Sequence, residues 1–440
     1  MEGGRNRVKL KLLWLFAPSK CQRWFKLFSN AITLAPTGQD ILDRSDMVNN
    51  ICVEGGGTSG MKRYIFLTNI PTPYRTSFYD HLHHSGLNFE VFYMRNTEAD
   101  RSWAVDPTTM RHPFYIDKSF YKMIGLYHLH INPRIILKMI RRRDAEFIIG
   151  GAWNDIDVLI LVLLKRFGLI RNVFHFWTEA NYLTTGSRRD NPVKRWVRKF
   201  VYNSSSGSQI SSGKMTRLTF DKWGMPGKRF VDLPNTIEEE RFSIGREEIE
   251  ARARNPLPVF FLPARLIERV KGIMNFLGAV GGDNLLRCVI VVAGDGPDRG
   301  RIESYIESNA LGDHVKLLEH CNTERVVKLY RKANVFLLPS FSDPSPLTAV
   351  EALCMRLPML ISDRCGNHYE AVEEGVNGYL FDPSDADSIR LAFESMLSRK
   401  NEWSEMGEMS GRRYQDFFEK DRVIRRFIGE LGGFDCGADL

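Results

Sequence analysis

A chain of 440 residues with 43% hydrophobic and 11% aromatic residues can bury a sizeable core, so we expect a globular protein of about two or three domains. Its formal net charge of +8 suggests an acidic partner such as a nucleotide, a lipid phosphate or a polyanion, and charge alone cannot choose among them. Seven cysteines, none in a CxxC or a Cys/His cluster, predict free thiols in a reducing compartment.

The N-terminal segment differs from the rest of the chain in composition. Residues 1–30 carry seven Lys or Arg side chains against one acid, interleaved with Trp and Phe, before a polar stretch that ends GGGTSG. We predict that residues 1–60 are an extension outside the fold or follow from a misassigned start. A membrane-surface or targeting segment is the alternative.

From Met61 onward, short apolar strands alternate with amphipathic helices, which indicates parallel sheets covered on both faces. This predicts an α/β protein with an N-terminal domain at 61–240, a charged linker at 241–257, a C-terminal domain at 258–411, and a helix and tail at 412–440, the helix packing back on the first domain. A ligand between two such domains lies at the carboxyl ends of the strands. Strands are predicted near 63–68, 89–94, 146–150 and 172–177, and then near 258–262, 288–293, 315–318, 335–338 and 358–362.

Two local patterns predict helices rather than sites. The longest apolar run, VLILVLL at 158–164, is far shorter than the ~18 to 20 residues of a membrane span, so we expect a buried helix. The DID at 155–157 and the DAD at 385–387 resemble a metal-binding Asp-x-Asp motif, but neither follows a clear buried strand. Helix-start roles are expected for both.

A glycine turn follows the predicted strand VIVVA at 289–293. Gly294 and Gly296 in GDGP would let the backbone approach a phosphate or a base. The pattern is weak alone, because glycines between a strand and a helix are also common packing devices.

The stretch DPSPLTAVEA at 343–352 predicts a helix start in the cleft. Ser345 is the expected N-cap, and Pro346 occupies the first position of a helix that runs to about residue 355. The free amides near Leu347 and Thr348, together with the helix dipole, would bind a pyrophosphate.

Two carboxylates flank this helix start. Glu351 lies about 9 Å along the axis from Ser345 at ~1.5 Å per residue, and Asp343 lies on the other side. One carboxylate can bind ribose hydroxyls and the other sugar hydroxyls, with the diphosphate between them. The spacing therefore fits a nucleotide-sugar.

The stretch LPSFSDPSPLTAVEALCMRLPMLISDRCGNHYEAVEEGVNGYLFDPSD at 338–385 strongly resembles the signature of glycosyltransferase family 4, in which an acid, seven residues and a glutamate precede a helix. Further matches in the right order extend the resemblance over residues 61 to roughly 430. They are TNIPTPYRTSFYDHL at 68–82, LPNTIEEERF at 233–242, ARLIERVKGI at 264–273 and AGDGP at 293–297.

The resemblance implies a GT-B fold of two Rossmann-like doubly wound domains facing across a cleft, with the donor on the second domain and retention of anomeric configuration. Arg265 and Lys271 would neutralise charge on the leaving nucleoside diphosphate. Asp343 would orient the donor sugar and Glu351 would hold the ribose. No metal or other cofactor is expected, because cations and helix amides already cover the diphosphate.

The chain departs from the family pattern at several positions. Asp343 replaces the usual glutamate, and Pro346 replaces a glycine and so removes one amide donor. The interval from Arg265 to Lys271 is one residue longer than usual, which leaves open whether Arg265 or Arg269 faces the phosphates. In place of the usual catalytic-site histidine, HFWTEANY at 175–182 offers His175 or Glu179. We favour Glu179, which lies past the strand end.

The predicted function is therefore a hexosyltransferase that moves a sugar from a UDP- or GDP-sugar to a glycan or lipid-linked acceptor, in cell-surface polysaccharide or glycolipid biosynthesis. The alternatives are a nucleotide-sugar 2-epimerase of the same fold and a non-catalytic carbohydrate-binding relative. No nucleic-acid partner is expected, because no recognisable module interleaves Lys and Arg with stacking aromatics.

A basic amphipathic pattern in the first domain suggests a membrane surface. SRRDNPVKRWVRKF at 187–200 places Val193, Trp196, Val197 and Phe200 on one helical face and Lys194, Arg195, Arg198 and Lys199 on the others. RIILKMIRRRD at 134–144 adds a second basic cluster. We predict a cytoplasmic protein with peripheral contact to anionic lipid at the inner face of the membrane. An ordinary amphipathic helix is the alternative.

Overall fold

The computed structural model describes residues 62–98, 104–118, 120–124, 127–150, 153–184, 192–319 and 321–432. The predicted N-terminal extension at residues 1–60 and the tail after residue 432 lie outside these described residues. Within them, the chain forms two parallel sheets, each covered by helices on both faces.

The first sheet has seven parallel strands in the order β3-β2-β1-β6-β7-β8-β9. A separate hairpin of β4 and β5 is inserted before β6. The order reverses between β1 and β6, which is where a doubly wound sheet binds its ligand. The strands are β1 (Arg63–Thr68), β2 (Phe89–Tyr93), β3 (Phe114–Ile116), β4 (Phe120–Ile124), β5 (Tyr127–Ile131), β6 (Ala145–Ile149), β7 (Phe174–Thr178), β8 (Gln209–Ser211) and β9 (Phe230–Asp232).

Among the described residues of the first domain, five helices belong to this sheet. One covers the face that also receives the C-terminal helix, and the other four pack on the opposite face around Phe147, Phe174 and Phe176. They are α1 (Pro73–His84) on the first face, and α2 (Pro133–Arg141), α3 (Ile156–Arg166), α4 (Pro192–Asn203) and α5 (Lys214–Lys222) on the second.

The second sheet has six parallel strands in the order β12-β11-β10-β13-β14-β15, with its reversal between β10 and β13. The connection before it contains α6 (Arg246–Arg252), inside the stretch predicted as the linker. The strands are β10 (Val259–Pro263), β11 (Val289–Ala293), β12 (Val315–Leu318), β13 (Val335–Leu338), β14 (Met359–Ser362) and β15 (Gly378–Phe381).

Ten further helices follow the start of this sheet. Two of them, α15 and α16, carry the chain back to the first sheet, and the predicted boundary at 411/412 falls inside α15. The helices are α7 (Glu268–Lys271), α8 (Ile273–Val280), α9 (Gly282–Leu285), α10 (Arg299–Ser308), α11 (Thr323–Lys332), α12 (Leu347–Cys354), α13 (His368–Ala371), α14 (Ala386–Ser398), α15 (Trp403–Phe417) and α16 (Lys420–Gly432).

The chain crosses between the sheets twice, and the two crossings touch each other. Lys420, which is fully buried at the start of α16, donates to Ser77 Oγ of α1 at 3.1 Å and contacts Glu240 Oε1 of the first crossing at 3.4 Å. Tyr414 donates to Glu239 at 2.5 Å. Buried residues of α16, among them Phe427, then join the same core as Phe66 and Phe78.

Contacts also cross the mouth of the cleft. The carboxylate of Glu370 on α13 accepts a hydrogen bond from the Lys214 backbone N–H at 2.7 Å, at the start of α5. Asn181 donates to the Arg364 carbonyl at 3.0 Å. Burial raises the pKa of Glu370 to about 7, the charge of Asp232 acts in the same direction, and the Lys214 amide opposes both.

The nine predicted strands are all present, with ends displaced by two residues or fewer. The sequence missed the hairpin and four short strands, β3, β8, β9 and β15, because three or four residues give too little periodicity to recognise. The run at 158–164 lies in a helix, α3, as predicted, but only Val158, Leu161 and Val162 of the run are buried and Leu163 is exposed. The four cysteines in the described part of the chain are free thiols, as predicted.

Candidate active site

Lys271 and Asp343 meet at the reversal point of the second sheet. Lys271 ends the short helix after β10, and Asp343 lies in the loop after β13, so adjacent parallel strands bring both to one sheet edge. The ammonium Nζ donates to Asp343 Oδ2 at 2.5 Å, and both side chains are about 85% buried. The Gly366 N–H donates to the Asp343 carbonyl at 2.8 Å and fixes the loop.

The other predicted cations lie differently. Arg265 directly follows β10 and Arg269 lies within α7, and both side chains are exposed. The structure therefore brings Lys271, and neither arginine, into contact with Asp343.

The predicted helix start is displaced by one residue. Pro346, rather than Ser345, is the N-cap, because its ψ of 117° is extended and helical geometry begins only at Leu347. No side chain caps the helix, so the prediction of a Ser345 cap is wrong. The Pro346 carbonyl accepts from the Ala349 N–H and from Asn367 Nδ2 at 3.1 Å. The amides of Leu347 and Thr348 belong to the first turn, where amides have no intrahelical acceptor.

Glu351 lies one turn further along this helix. Tyr330 donates to its Oε2 at 2.9 Å and contacts the Thr348 carbonyl at 3.0 Å, which ties the carboxylate to the helix. Burial raises the pKa of Glu351 to about 7; the charge of Glu238 adds to this effect, and the Tyr330 hydrogen bond opposes it.

Gly294 and Gly296 hold two loops in close contact. A Cβ on Gly294 would lie 2.0 Å from the Ala264 carbonyl oxygen, and one on Gly296 would lie 2.5 Å from the Leu266 carbonyl oxygen. Gly294 also has a φ of +157°. Close packing against the loop after β10 is thus sufficient to explain both glycines, which was the alternative left open by the sequence.

Across the cleft, Glu179 follows β7 of the first sheet. Its Oε1 accepts from Arg75 Nη2 at 3.1 Å and from Asn235 Nδ2 at 2.9 Å. The Arg75 guanidinium also lies 4.3 Å from the centre of the Trp177 ring. The sequence motifs around Arg75 and Asn235 were recognised, but no role was assigned to either residue.

A cavity of about 280 Å³ lies beside Glu179. Pro344, the neighbour of Asp343, lines the same cavity, so the loop that carries Asp343 contributes to it. The remaining lining residues come from the first domain: Arg75, Gly150, Trp153, Trp177, Thr178, Ala180, Tyr202 and Trp223.

His175, the alternative to Glu179, is a sheet residue. It is buried and contacts Glu146 Oε2 at 3.0 Å, and its Nδ1 accepts from the Ser208 N–H at 3.0 Å. The two Asp-x-Asp patterns are helix starts as predicted, since Asp155 and Asp385 accept the amides of Asp157 and Asp387. Across residues 62–432, apart from the undescribed gaps, no group of three His, Cys, Asp or Glu side chains could hold a metal ion.

The helices α2, α3 and α4 present apolar and basic side chains to solvent together. The prediction for Arg198 is wrong, because this side chain is buried and its guanidinium lies 3.9 Å from the centre of the Trp223 ring. Arg195 and Lys199 are exposed. No described helix is long and apolar enough to cross a membrane. The exposed apolar side chains are Leu137 of α2, Leu163 of α3, Phe167 directly after α3, and Val193 and Trp196 of α4.

The second domain is similar in sequence to known glycosyltransferases. Residues 246–413 match the family model described as glycosyl transferases group 1. The putative glycosyltransferase EpsF of Bacillus subtilis is 31% identical over 53% of this chain and 62% of its own length. The D-inositol 3-phosphate glycosyltransferase of Corynebacterium urealyticum is 24% identical over 52% of this chain and 57% of its own length. The chain spans between 33% and 62% of the length of the first four curated relatives that it matches.

Solved structures extend the similarity to both domains. HepE of Anabaena in complex with UDP superposes with a TM-score of 0.64 at 13% identity, over 85% of this chain and all of its own. The sucrose-phosphate synthase of Thermosynechococcus elongatus superposes with a TM-score of 0.62 at 16% identity, over 84% of this chain and 98% of its own. The chain therefore has the GT-B fold of two Rossmann-like domains, and its similarity to group 1 glycosyl transferases supports a transferase.

Proposed function

We propose that the protein is a retaining glycosyltransferase of family 4 that moves a hexose from a nucleotide-sugar to a glycan or lipid-linked acceptor. The observation that carries the proposal is the Lys271–Asp343 pair at the reversal point of the second sheet, opposite Glu179. A cation and two acids around one cleft suit a substrate that combines a diphosphate with sugar hydroxyls.

The donor is a UDP-sugar in this proposal, with a GDP-sugar as the alternative. HepE of Anabaena, which shares the fold, is solved with UDP and with UDP-glucose. The first-turn amides of Leu347 and Thr348 bind the diphosphate, and Glu351 accepts from the ribose hydroxyls.

Charge develops on the diphosphate as the bond to the sugar breaks. Lys271 stabilises that charge, with Arg265 or Arg269 as the second cation, and Asp343 accepts from a hydroxyl of the transferred sugar. Glu179 orients the acceptor hydroxyl from the opposite side. Retention rests on the resemblance to family 4. No metal takes part in this scheme, because cations and helix amides surround the diphosphate.

The membrane contact is part of the same proposal. The outer face of α2, α3 and α4 combines five exposed apolar side chains with Arg195 and Lys199, which is the pattern of an interfacial surface on anionic lipid. A cytoplasmic enzyme that docks in this way would reach glycolipid or lipid-linked polysaccharide acceptors.

The 2-epimerase alternative needs acid and base groups at the donor sugar and no acceptor. The cavity beside Glu179 favours transfer, because it offers room for a second substrate. A non-catalytic carbohydrate-binding relative remains the alternative suggested by Asp343 and Pro346.

The test is a binding and hydrolysis screen of UDP-, GDP- and ADP-sugars with the purified chain, with and without excess EDTA. We expect one donor class to bind and to be hydrolysed slowly with retention, equally well in EDTA. Asp343→Asn should abolish hydrolysis but keep nucleotide binding. Release of a 2-epimer would select the epimerase, binding without any turnover would select the carbohydrate-binding relative, and strict dependence on a divalent ion would refute the metal-free scheme.

A further inference from the structure

The cavity beside Glu179 is small and has aromatic walls. Its volume of about 280 Å³ is at the lower end of ligand pockets, so it admits one ring rather than a chain. Trp153 is half-buried in its lining. The Trp177 ring lies beneath the Arg75 guanidinium and the Trp223 ring beneath the Arg198 guanidinium, so Trp153 is the lining tryptophan that no described cation covers. Indole faces are large, rigid and apolar, and they suit a flat partner with an apolar face.

The polar groups of the cavity favour a neutral ligand over an anion. Among the described residues that line the cavity, Arg75 is the single cation, and it is already paired with Glu179. A bare phosphate would meet a carboxylate and no unpaired cation among these residues, which makes its desolvation costly.

Glu179 itself is prepared to accept a hydroxyl. The bonds from Arg75 and Asn235 both end on Oε1, and within the described chain neither donor reaches Oε2. The carboxylate is thus held in place with one oxygen left to accept a hydrogen bond from a ligand. Pro344, in the loop that carries Asp343, lines the same cavity as Glu179.

A pyranose satisfies all of these conditions, because it has an apolar C–H face, a rim of hydroxyls and no charge. We infer that this cavity is the site of the acceptor's reacting end and that this end is a neutral sugar ring stacked on tryptophan. The inference rests on the proposed function and deepens it. A bare lipid phosphate as acceptor is the alternative outcome of the test.

The test uses saturation-transfer NMR on the full chain with methyl glycosides of common hexoses, and with glycerol phosphate and inorganic phosphate as competitors. We expect at least one methyl glycoside to bind, and neither phosphate to displace it. Trp153→Ala and Glu179→Gln should each weaken its binding about fivefold or more, whereas Leu391→Ala, which changes an exposed apolar residue of the second domain, should not.

Donor hydrolysis by the same preparations separates this inference from the proposed function. We expect Trp153→Ala to hydrolyse the donor in water like the parent within about twofold, because Trp153 lines the cavity and has no contact with the donor in the proposed scheme. If no glycoside binds, if both variants bind like the parent, or if phosphate displaces the sugar, the inference is overturned while hydrolysis persists. If no nucleotide-sugar binds or reacts, the proposed function fails instead.

Discussion

The proposed donor side of the cleft comes from short stretches of sequence, whereas the opposite side draws on residues scattered through the first domain. Lys271 and Asp343 follow two adjacent strands, and Glu351 lies eight positions after Asp343 in the same local motif. The other wall needs five separate connections to meet. Its side chains are Arg75, Trp153, Glu179, Trp223 and Asn235.

This difference follows from what each side has to bind. A diphosphate needs a cation and a helix start, and a short stretch after one strand supplies each of them. A sugar ring needs walls on several sides, which only distant parts of the chain can provide. We therefore expect changes on the donor side to affect turnover itself and changes on the other side to affect the choice of acceptor.

The largest expected effect is on the donor side. Lys271→Ala should lower kcat about 10² to 10³-fold with little change in donor KM, because the phosphate charge grows only as the bond breaks. Glu351→Ala should instead raise donor KM about tenfold, because ribose contacts exist before and during reaction. Steady-state kinetics with a soluble acceptor measure both, and exposed Lys328→Ala is the control. Equal losses of kcat at unchanged KM in the two variants would contradict this division of roles.

A smaller effect concerns the contact between the domains. The fold holds the pKa of Glu370 above its ordinary value of 4.5, at about 7, so the native state keeps a proton that the unfolded state releases. The free energy of unfolding should then fall as pH rises from about 4.5 to 7, and Glu370→Gln should remove on the order of 2 kcal/mol of that fall.

Urea denaturation at pH 5 and pH 8 measures this difference, with Glu405→Gln at an exposed position as the control. If the free energy of unfolding changes with pH by the same amount in the parent and in Glu370→Gln, the Glu370 carboxylate ionises in the folded protein as it does in the unfolded chain. The contact with Lys214 would then have to be formed by a fully charged group.

The smallest effect is expected on the outer face of the first domain. Lys199→Gln should lower partitioning onto vesicles containing anionic lipid about fivefold at low salt, since one surface cation contributes about 1 kcal/mol. Activity on a soluble acceptor should stay the same. Lys328→Gln in the second domain is the matched control. If the protein co-sediments with neither neutral nor anionic vesicles, this face is an ordinary solvent-exposed surface.

The same contrast explains what the sequence could predict. Local sequence patterns predict the positions of the strands and the α/β character of both domains, and the structure has these elements. The spacing between Asp343 and Glu351 is also a local pattern. The Ser345 cap failed because the turn geometry of Pro346 is set by the neighbouring loop through Asn367. Arg198 was misplaced because helical periodicity cannot show that Trp223 covers one side of α4.

The cavity could not be predicted in the same way. Trp153 follows β6, Trp177 lies in β7 and Trp223 follows α5, and no spacing relates Trp153 to Trp223. The motif around Arg75 was visible, yet the pairing with Glu179 joins residues 104 positions apart and depends on the order of the strands. Only the packed fold shows which of these side chains share a site.

The two touching crossings have a consequence for how the protein is made. Lys420 reaches Ser77 across 343 residues, and Phe427 completes the core around Phe66 and Phe78. During synthesis the first domain would emerge from the ribosome with this apolar surface open, and it would wait for nearly the whole second domain to be translated before α16 could cover it. The nascent chain should therefore be a substrate for chaperones that hold exposed apolar segments, and release from them should coincide with the arrival of α16.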